Sequence, residues 1–366
     1  MNMSKTYTFG YGKKIAATQP KETAHQERMR VKREAGIPRY TNDARTAELL
    51  AMLRTMRPNG SAADQAFVDQ WIAPLGTDAD GYGNHWLTIG DSRILWSSHT
   101  DTVHRNGGVQ YVGFDSGCAY VTRSGCLGAD DTVGVWLMRN MILAGVPGTY
   151  VFHRGEEVGA LGSSWIERNT PERLAGIDFA IAFDRKGYNE IITDQWGNTA
   201  SDEFALSLAN ALKPLDYEPS DRGIFTDTQI YSDIIPECSN ISVGYHRQHT
   251  GDEWLDVDFA MLLCDTLCAA DFSGLVVARD PLAEIEYRRG SNRYTTPMDD
   301  WDTWQTEPAD SLLAAALRKA EIDDLRDSTG IRSLDDFCRQ YPATASDFLN
   351  ELGYDLSDLM RYGGLA

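Results

Sequence analysis

Apolar positions along the chain follow two periods, one helical and one strand-like. From Asn42 onward, Leu49, Leu50, Leu53 and Met56 fall on one side of a helical projection, which predicts a helix. Ser61 is a capping residue ahead of a second helix that carries Phe67, Val68, Trp71 and Ile72. Gly81 and Gly83 precede a strand-like run, residues 86–89. A tight turn at Gly90-Asp91 then leads into Ile94-Leu95-Trp96, a short buried strand, and the pattern predicts a hairpin. Beyond it the chain alternates. Helical spacing over residues 132–143, 163–168, 201–212 and 257–270 is interleaved with strand-like runs at 150–152, 179–183 and 240–243. Such alternation predicts an α/β fold, with a central mixed, mostly parallel sheet flanked by helices.

The two ends read differently. Residues 1–40 lack an apolar period and contain Gly10, Gly12, Gly36 and Pro38, the texture of an arm with little core of its own. A catalytic-size domain is expected over residues 41–290. Residues 291–366 are expected to form a linker and a small C-terminal helical appendage. That appendage has an Ala/Leu-rich helical pattern over 311–325, followed by Ser-capped acidic segments at Ser333, Ser346 and Ser357.

Composition narrows the class. The 366 residues are 42% apolar and 24% charged, an ordinary profile for a soluble globular protein. No apolar run reaches the roughly 18 residues that a membrane helix needs. The N-terminus has no apolar signal core, so no membrane partner and a cytoplasmic location are expected. The formal net charge is −20, a surface that repels nucleic acid. Residues 1–46 carry ten Lys/Arg against four Asp/Glu, so a basic arm leaves nucleic-acid contact open, beside the plainer reading of a solvated arm. Six cysteines, none in a Cys-x-x-Cys pair, are expected to be reduced and mostly buried.

Five short segments concentrate metal-capable side chains. They are Ser98-His99-Thr100-Asp101-Thr102, Gly128-Ala129-Asp130-Asp131, Gly155-Glu156-Glu157-Val158-Gly159, Phe183-Asp184-Arg185 and His249-Thr250-Gly251-Asp252-Glu253. Four lie at or just beyond strand-like runs and the second opens a helix. In open α/β sheets, sites gather outside the carboxyl ends of strands. Several carboxylates converging there repel one another unless cations lie between them. Two divalent ions, with a carboxylate bridging them, would remove that repulsion.

The set and its order, His-x-Asp, Asp, Glu-Glu, Asp, His, resemble the co-catalytic two-zinc aminopeptidases and their relatives. That clan contains bacterial leucyl aminopeptidases, peptidase T and glutamate carboxypeptidase. The resemblance runs from about residue 97 to residue 253. It implies a fold like that of the zinc aminopeptidases and two divalent metal ions, zinc foremost. It further implies that His99, Asp130 and Asp184 hold one metal, and that Asp130, Glu157 and His249 hold the other. Asp101 is similar to the acid that orients the ligating histidine. Glu156 resembles the general base, which takes a proton from the attacking water and passes it to the leaving amine. Tyr245 is either a local oxyanion donor or a packing residue. Asp227 lies in a stretch that lines the pocket of relatives, where it could receive a substrate amino group. Arg185 either binds a substrate carboxylate or balances charge. His246, His104 and His153 are expected in ordinary roles.

Only 64 residues lie between Asp184 and His249, too few for the lid domain that some relatives insert there. The resemblance therefore points to the lidless aminopeptidase branch, hydrolysing peptide substrates at their N-termini. A two-metal carboxypeptidase, dipeptidase or N-deacylase is the alternative, and a non-catalytic binding protein on the same fold is another. The oligomeric state is left open.

Overall fold

The computed structural model describes residues 22–40 and 43–283. Two compact units are present, with the break between Ile37 and Pro38. Among its described residues the first contains one helix, α1 (Ala24–Glu34), within the stretch whose sequence shows no period. Its start is set by a reciprocal cap. The Thr23 hydroxyl accepts from Gln26 N–H, and the Gln26 side chain accepts from Thr23 N–H. The expected C-terminal appendage, its Ser-capped segments and Cys338 lie outside the described residues.

In the second unit a sheet of eight strands forms the framework. In chain order these are β1 (Asp78–Ala79), β2 (His85–Ile89), β3 (Ile94–His99), β4 (Gly148–His153), β5 (Phe179–Arg185), β6 (Glu190–Ile192), β7 (Glu218–Ser220) and β8 (Glu237–Ser242). Their spatial order is β7-β6-β8-β5-β3-β4-β2-β1. The central four, β8, β5, β3 and β4, run parallel to one another. Antiparallel pairings join β6 to β8, β2 to β4 and β1 to β2. The sheet is thus mixed, with a parallel centre, as the alternation of elements predicts.

The hairpin expected at Gly90-Asp91 does not form. β2 and β3 do not pair; β4 lies between them, antiparallel to β2 and parallel to β3. Four linking residues, at roughly 3.3 Å each, are long enough to step over one intervening strand at about 4.8 Å spacing. Gly90, at φ +66°, supplies the turn without requiring that its flanking strands pair.

Helices α2 (Asp43–Leu53), α3 (Ala62–Trp71), α4 (Ala129–Ala144), α5 (Leu161–Asn169), α6 (Asp202–Ala211), α7 (Asp227–Ile230) and α8 (Val257–Ala269) cover the sheet. Ser61 caps α3 by accepting from Asp64 N–H, as its sequence position implies. α4 packs on β3 and β5, with α2 and α8 against it, while α5 packs on α7. Strand alternation divides the core between the sheet's faces. Leu95, Val151, Ala180 and Cys238 join Ile166 and Tyr231 in one cluster. Trp96 points the other way, stacks on Phe183 at 5.7 Å and meets the edge of Phe272 at 5.0 Å. A second sheet, unforeseen from the sequence, pairs residues Cys118–Val121 with Val112–Asp115 on one side and Trp254–Asp256 on the other. Among the described residues, no helix is long and apolar enough to cross a membrane. Cys118, Cys126, Cys238 and Cys264 are buried free thiols, and Cys268 is partly buried.

Trp96 is fully buried, and its Nε1–H donates to the Pro147 carbonyl at 3.2 Å. Trp96→Ala leaves a cavity against Phe183 and Phe272. It should lower unfolding free energy by about 3–5 kcal/mol, measured by urea denaturation. A loss under about 1 kcal/mol would mean that this face collapses to fill the gap.

Candidate metal centre

The parallel centre of the sheet brings the five segments together. β3 ends on His99, β5 carries Asp184 one residue from its end, and β4 ends two residues before Gly155-Glu156-Glu157. The chain leaves β3 for β4 on one side and later returns to β5 on the other. The crevice lies outside that reversal, where open parallel sheets bind ligands. Asp130 enters from the first turn of α4, and His249 from the loop beyond β8.

The metal-capable groups form two triads with one shared member. His99, Asp130 and Asp184 make the first, and Asp130, Glu157 and His249 the second; in each, the ligand atoms lie within 4.8 Å of one another. Asp130 directs one oxygen to each triad: Oδ1 is 3.0 Å from His99 Nε2, and Oδ2 is 3.2 Å from His249 Nε2. Glu157 Oε2 is 3.2 Å from His249 Nε2, and Asp184 Oδ1 is 3.8 Å from His99 Nε2. A tetrahedral zinc with bonds of about 2.0–2.1 Å separates its ligand atoms by about 3.3–3.4 Å, inside this range. Glu157 Oε1 and His249 Nδ1 are buried without a hydrogen-bond partner, and His249 Nε2 meets only the carboxylates of Asp130 and Glu157. The donor set, two imidazoles and three carboxylates, suits zinc or a similar divalent ion.

Neighbouring groups hold these ligands in place. His99 Nδ1 lies 3.2 Å from the Asp101 carbonyl oxygen. A carbonyl only accepts, so Nδ1 donates there, which turns Nε2 toward the centre. The Asp101 carboxylate accepts from Gly155, Glu156 and Glu157 N–H at 3.0, 3.2 and 3.3 Å, and so shapes the Glu-Glu turn. Asp184 accepts from Thr226 Oγ1 at 2.7 Å and from the Tyr245 hydroxyl at 3.0 Å. Its backbone is clamped by the Asn240 amide at both N–H and carbonyl. Asp131 turns away from the ligand cluster and accepts from Ser98 Oγ, His99 N and Gly134 N at 2.6, 3.2 and 2.9 Å. Gly134 is required there, since a Cβ would come within 2.4 Å of that carboxylate.

Charge crowding sets the proton affinities of the site. Burial raises Glu156 and Glu157, and neighbouring carboxylates add to the effect. Burial and the charge of Asp130 push Asp184 up to about 7. Burial opposes charge on His99 and His249, but the facing carboxylates outweigh it and raise both. Asp130 goes the other way: burial opposes its charge, yet contact with both histidines holds it far below the usual carboxylate range.

The remaining predicted residues sit as follows. Glu156 Oε2 is 3.9 Å from His99 Nε2, beside the triads rather than in either. Asp227 is buried outside the cluster; it accepts from Ser163 Oγ at 2.5 Å and lies 3.4 Å from His153 Nδ1. Arg185 pairs with Glu190 at 2.8 Å. His246 stacks on Trp254 at 4.1 Å, and burial pushes it down to about 3. His104 bonds Thr102, and His153 bonds the Tyr231 hydroxyl.

Sequence reasoning missed two contributors and gave a third, Glu253, no role of its own. Arg57 is fully buried, donates to the Thr100 carbonyl and covers the Phe67 ring at 4.0 Å. Burial lowers it to about 10 against the pull of Asp64, Asp131, Asp101 and Glu157, so it remains a cation among acids. Nothing in its local sequence announces that role. Thr226 was passed over for its neighbour Asp227. Glu253 closes the His249 segment and accepts backbone N–H groups of the turn before α4. Its place at the end of His249-Thr250-Gly251-Asp252-Glu253 was the available signal.

No family model matches the chain, and no curated protein matches it in sequence. Solved structures do share the fold. Aminopeptidase PepT from Bacillus cereus is 14% identical, with a TM-score of 0.51 over 62% of this chain and 97% of its own. A tripeptidase from Staphylococcus aureus is 16% identical, with a TM-score of 0.51 over 62% of this chain and 97% of its own. The chain therefore has the fold of these peptidases.

A divalent ion bound between these groups would have to displace the protons that the site holds. Asp184, Glu156, Glu157, His99 and His249 all bind protons more tightly folded than unfolded. Their protonation supports the metal-free fold in acid. The carboxyl part of that support is lost as pH rises from about 4, the unfolded Asp value, through about 7, the folded value of Asp184. The histidine part is lost above that. Depressed Asp130 changes nothing in this window, because its contribution disappears only in stronger acid. The rise in melting temperature on adding zinc, relative to chelator, should therefore grow between about pH 5 and pH 8. A rise independent of pH would place the ion elsewhere.

Proposed function

We propose that the protein is a metallopeptidase of the aminopeptidase type, holding two divalent ions, zinc foremost. The observation that supports it best is the pair of triads sharing Asp130, with Glu156 beside them and outside both. His99, Asp130 and Asp184 would hold one ion, and Asp130, Glu157 and His249 the other. When bound, such ions polarise an amide carbonyl and acidify water near neutral pH.

The other steps belong to the chain. Glu156 is spared from ligation, and its raised proton affinity suits a group that accepts a proton from water. It then returns the proton to the amine nitrogen as the C–N bond breaks. Asp101 fixes its position, through the N–H groups of both Glu156 and Glu157. Tyr245 is the nearby hydroxyl for the developing oxyanion; its O–H now rests on Asp184. Asp227, enclosed by Ser163 and His153, supports the junction of α5 and α7 rather than touching substrate.

Between Asp184 and His249 the chain spends its residues on β6, α6, β7, α7 and β8, leaving no room for a lid domain. Glu156→Gln keeps the shape and removes the base, so turnover should fall by about 10²–10⁴-fold while zinc content is retained. The assay is mass spectrometry of a short-peptide mixture, each peptide free and N-acetylated, with zinc-loaded protein. Loss of single N-terminal residues from free peptides alone is expected. Cleavage of acylated peptides or at C-termini would move the reading to a deacylase or carboxypeptidase. Unchanged turnover in Glu156→Gln would remove Glu156 from the base role.

A further inference from the structure

We propose that Glu253 is the positioning residue of the metal centre, fixing the backbone of the bridging Asp130 and tying it to the loop that carries His249. The inference rests on the two-metal reading above. Glu253 is 1% exposed, and its carboxylate is occupied by backbone rather than solvent. Oε2 accepts from Leu127 and Gly128 N–H at 2.8 and 3.1 Å; Oε1 accepts from Ala129 at 2.7 Å and, at 3.5 Å, from Asp130 itself. Four consecutive N–H groups can converge on one carboxylate because Gly128 adopts φ +68°. The space there is tight: a Cβ on Gly128 would lie 2.9 Å from His104 and 3.0 Å from Thr102.

The other end of Glu253 governs His249. Its N–H donates to the Thr250 carbonyl at 3.1 Å, closing the turn that begins at the histidine. Its carbonyl accepts from Val121 N–H at 3.4 Å, just before the second sheet. His249 sits at φ +62°, and its Nδ1 is buried without a hydrogen-bond partner. Nδ1 thus has no counterpart of the carbonyl that holds the His99 ring, and the turn sets where Nε2 meets Asp130 and Glu157.

The contrast with the first triad is direct. His99 is set by a strand and by the Asp101 carbonyl, and Asp184 by Thr226, Tyr245 and Asn240. Asp130 and His249 both depend on Glu253. An ordinary helix cap would come from the residues just before α4; this one comes from the far side of the sequence and binds the turn that aims a ligand.

The test uses the full chain with Glu253→Gln and Glu253→Asp. Gln keeps the size but turns an amide donor toward N–H donors. Asp keeps the charge but is one methylene short of spanning the turn. Zinc affinity and stoichiometry are read by calorimetry on metal-free protein, and site geometry by the visible absorption of the cobalt-substituted form. At least one of the two ions should bind about 10–100-fold more weakly in both variants, with an altered cobalt spectrum. Wild-type zinc affinity and cobalt spectrum in a folded variant, even one with a lower melting temperature, would reduce Glu253 to a structural role and overturn the proposal. If one variant fails to fold, the other decides. If wild-type protein takes up no zinc, the two-metal reading and this inference fall together. If wild type binds two ions and cleaves peptides while both variants bind zinc equally well, only the inference falls.

Discussion

Asp130, Glu156, Glu157 and Asp184 converge in a volume largely closed to water, and bare carboxylates cannot be neighbours there without strong mutual repulsion. Much of the surrounding structure answers that constraint. His99 and His249 are interleaved with the acids, and Arg57 is held as a buried cation behind them. Other acids are kept out of the crowd by being saturated with donors. Asp101 is spent on the Glu-Glu turn, Asp131 on Ser98 and Gly134, and Glu253 on the turn before α4. A bound cation pair would relieve the remaining repulsion, which makes ion binding and the local fold parts of one equilibrium.

The same constraint explains the division of labour among adjacent residues. Asp130 and Asp131 are neighbours, yet one faces both triads while the other faces away into hydrogen bonds. Glu156 and Glu157 split likewise, one beside the centre and one within it. In each pair the backbone, pinned by a third carboxylate, decides which side chain reaches the ligand atoms. Asp101 pins the second pair and Glu253 the first.

The architecture was legible because β3, β4 and β5 carry short apolar runs and the helices between the strands keep a 3.6-residue period. β5 and α8 appear almost as their patterns predict. The hairpin between β2 and β3 was misread because a glycine turn specifies a reversal, not a partner, and β4 is supplied from far along the chain. The second sheet escaped notice since its strands are two to four residues long, below the length at which a period can be recognised. α1 escaped because its start is set by Thr23 and Gln26 rather than by an apolar face. The triads were readable through their motif order. Thr226 and Arg57 were not, because the contacts through which they act leave no pattern in sequence.

The small second sheet joins segments that flank two different members of the triads. Cys118–Val121 leads toward the turn of Asp130, and Trp254–Asp256 follows the loop of His249. Trp254 pairs with Tyr120 far back along the chain, so local propensity alone cannot form this sheet, and closing so long a loop carries an entropic cost that a hairpin avoids. The turn of Asp130 and the loop of His249 are thereby joined through one long-range pairing, and disorder in either strand would reach both.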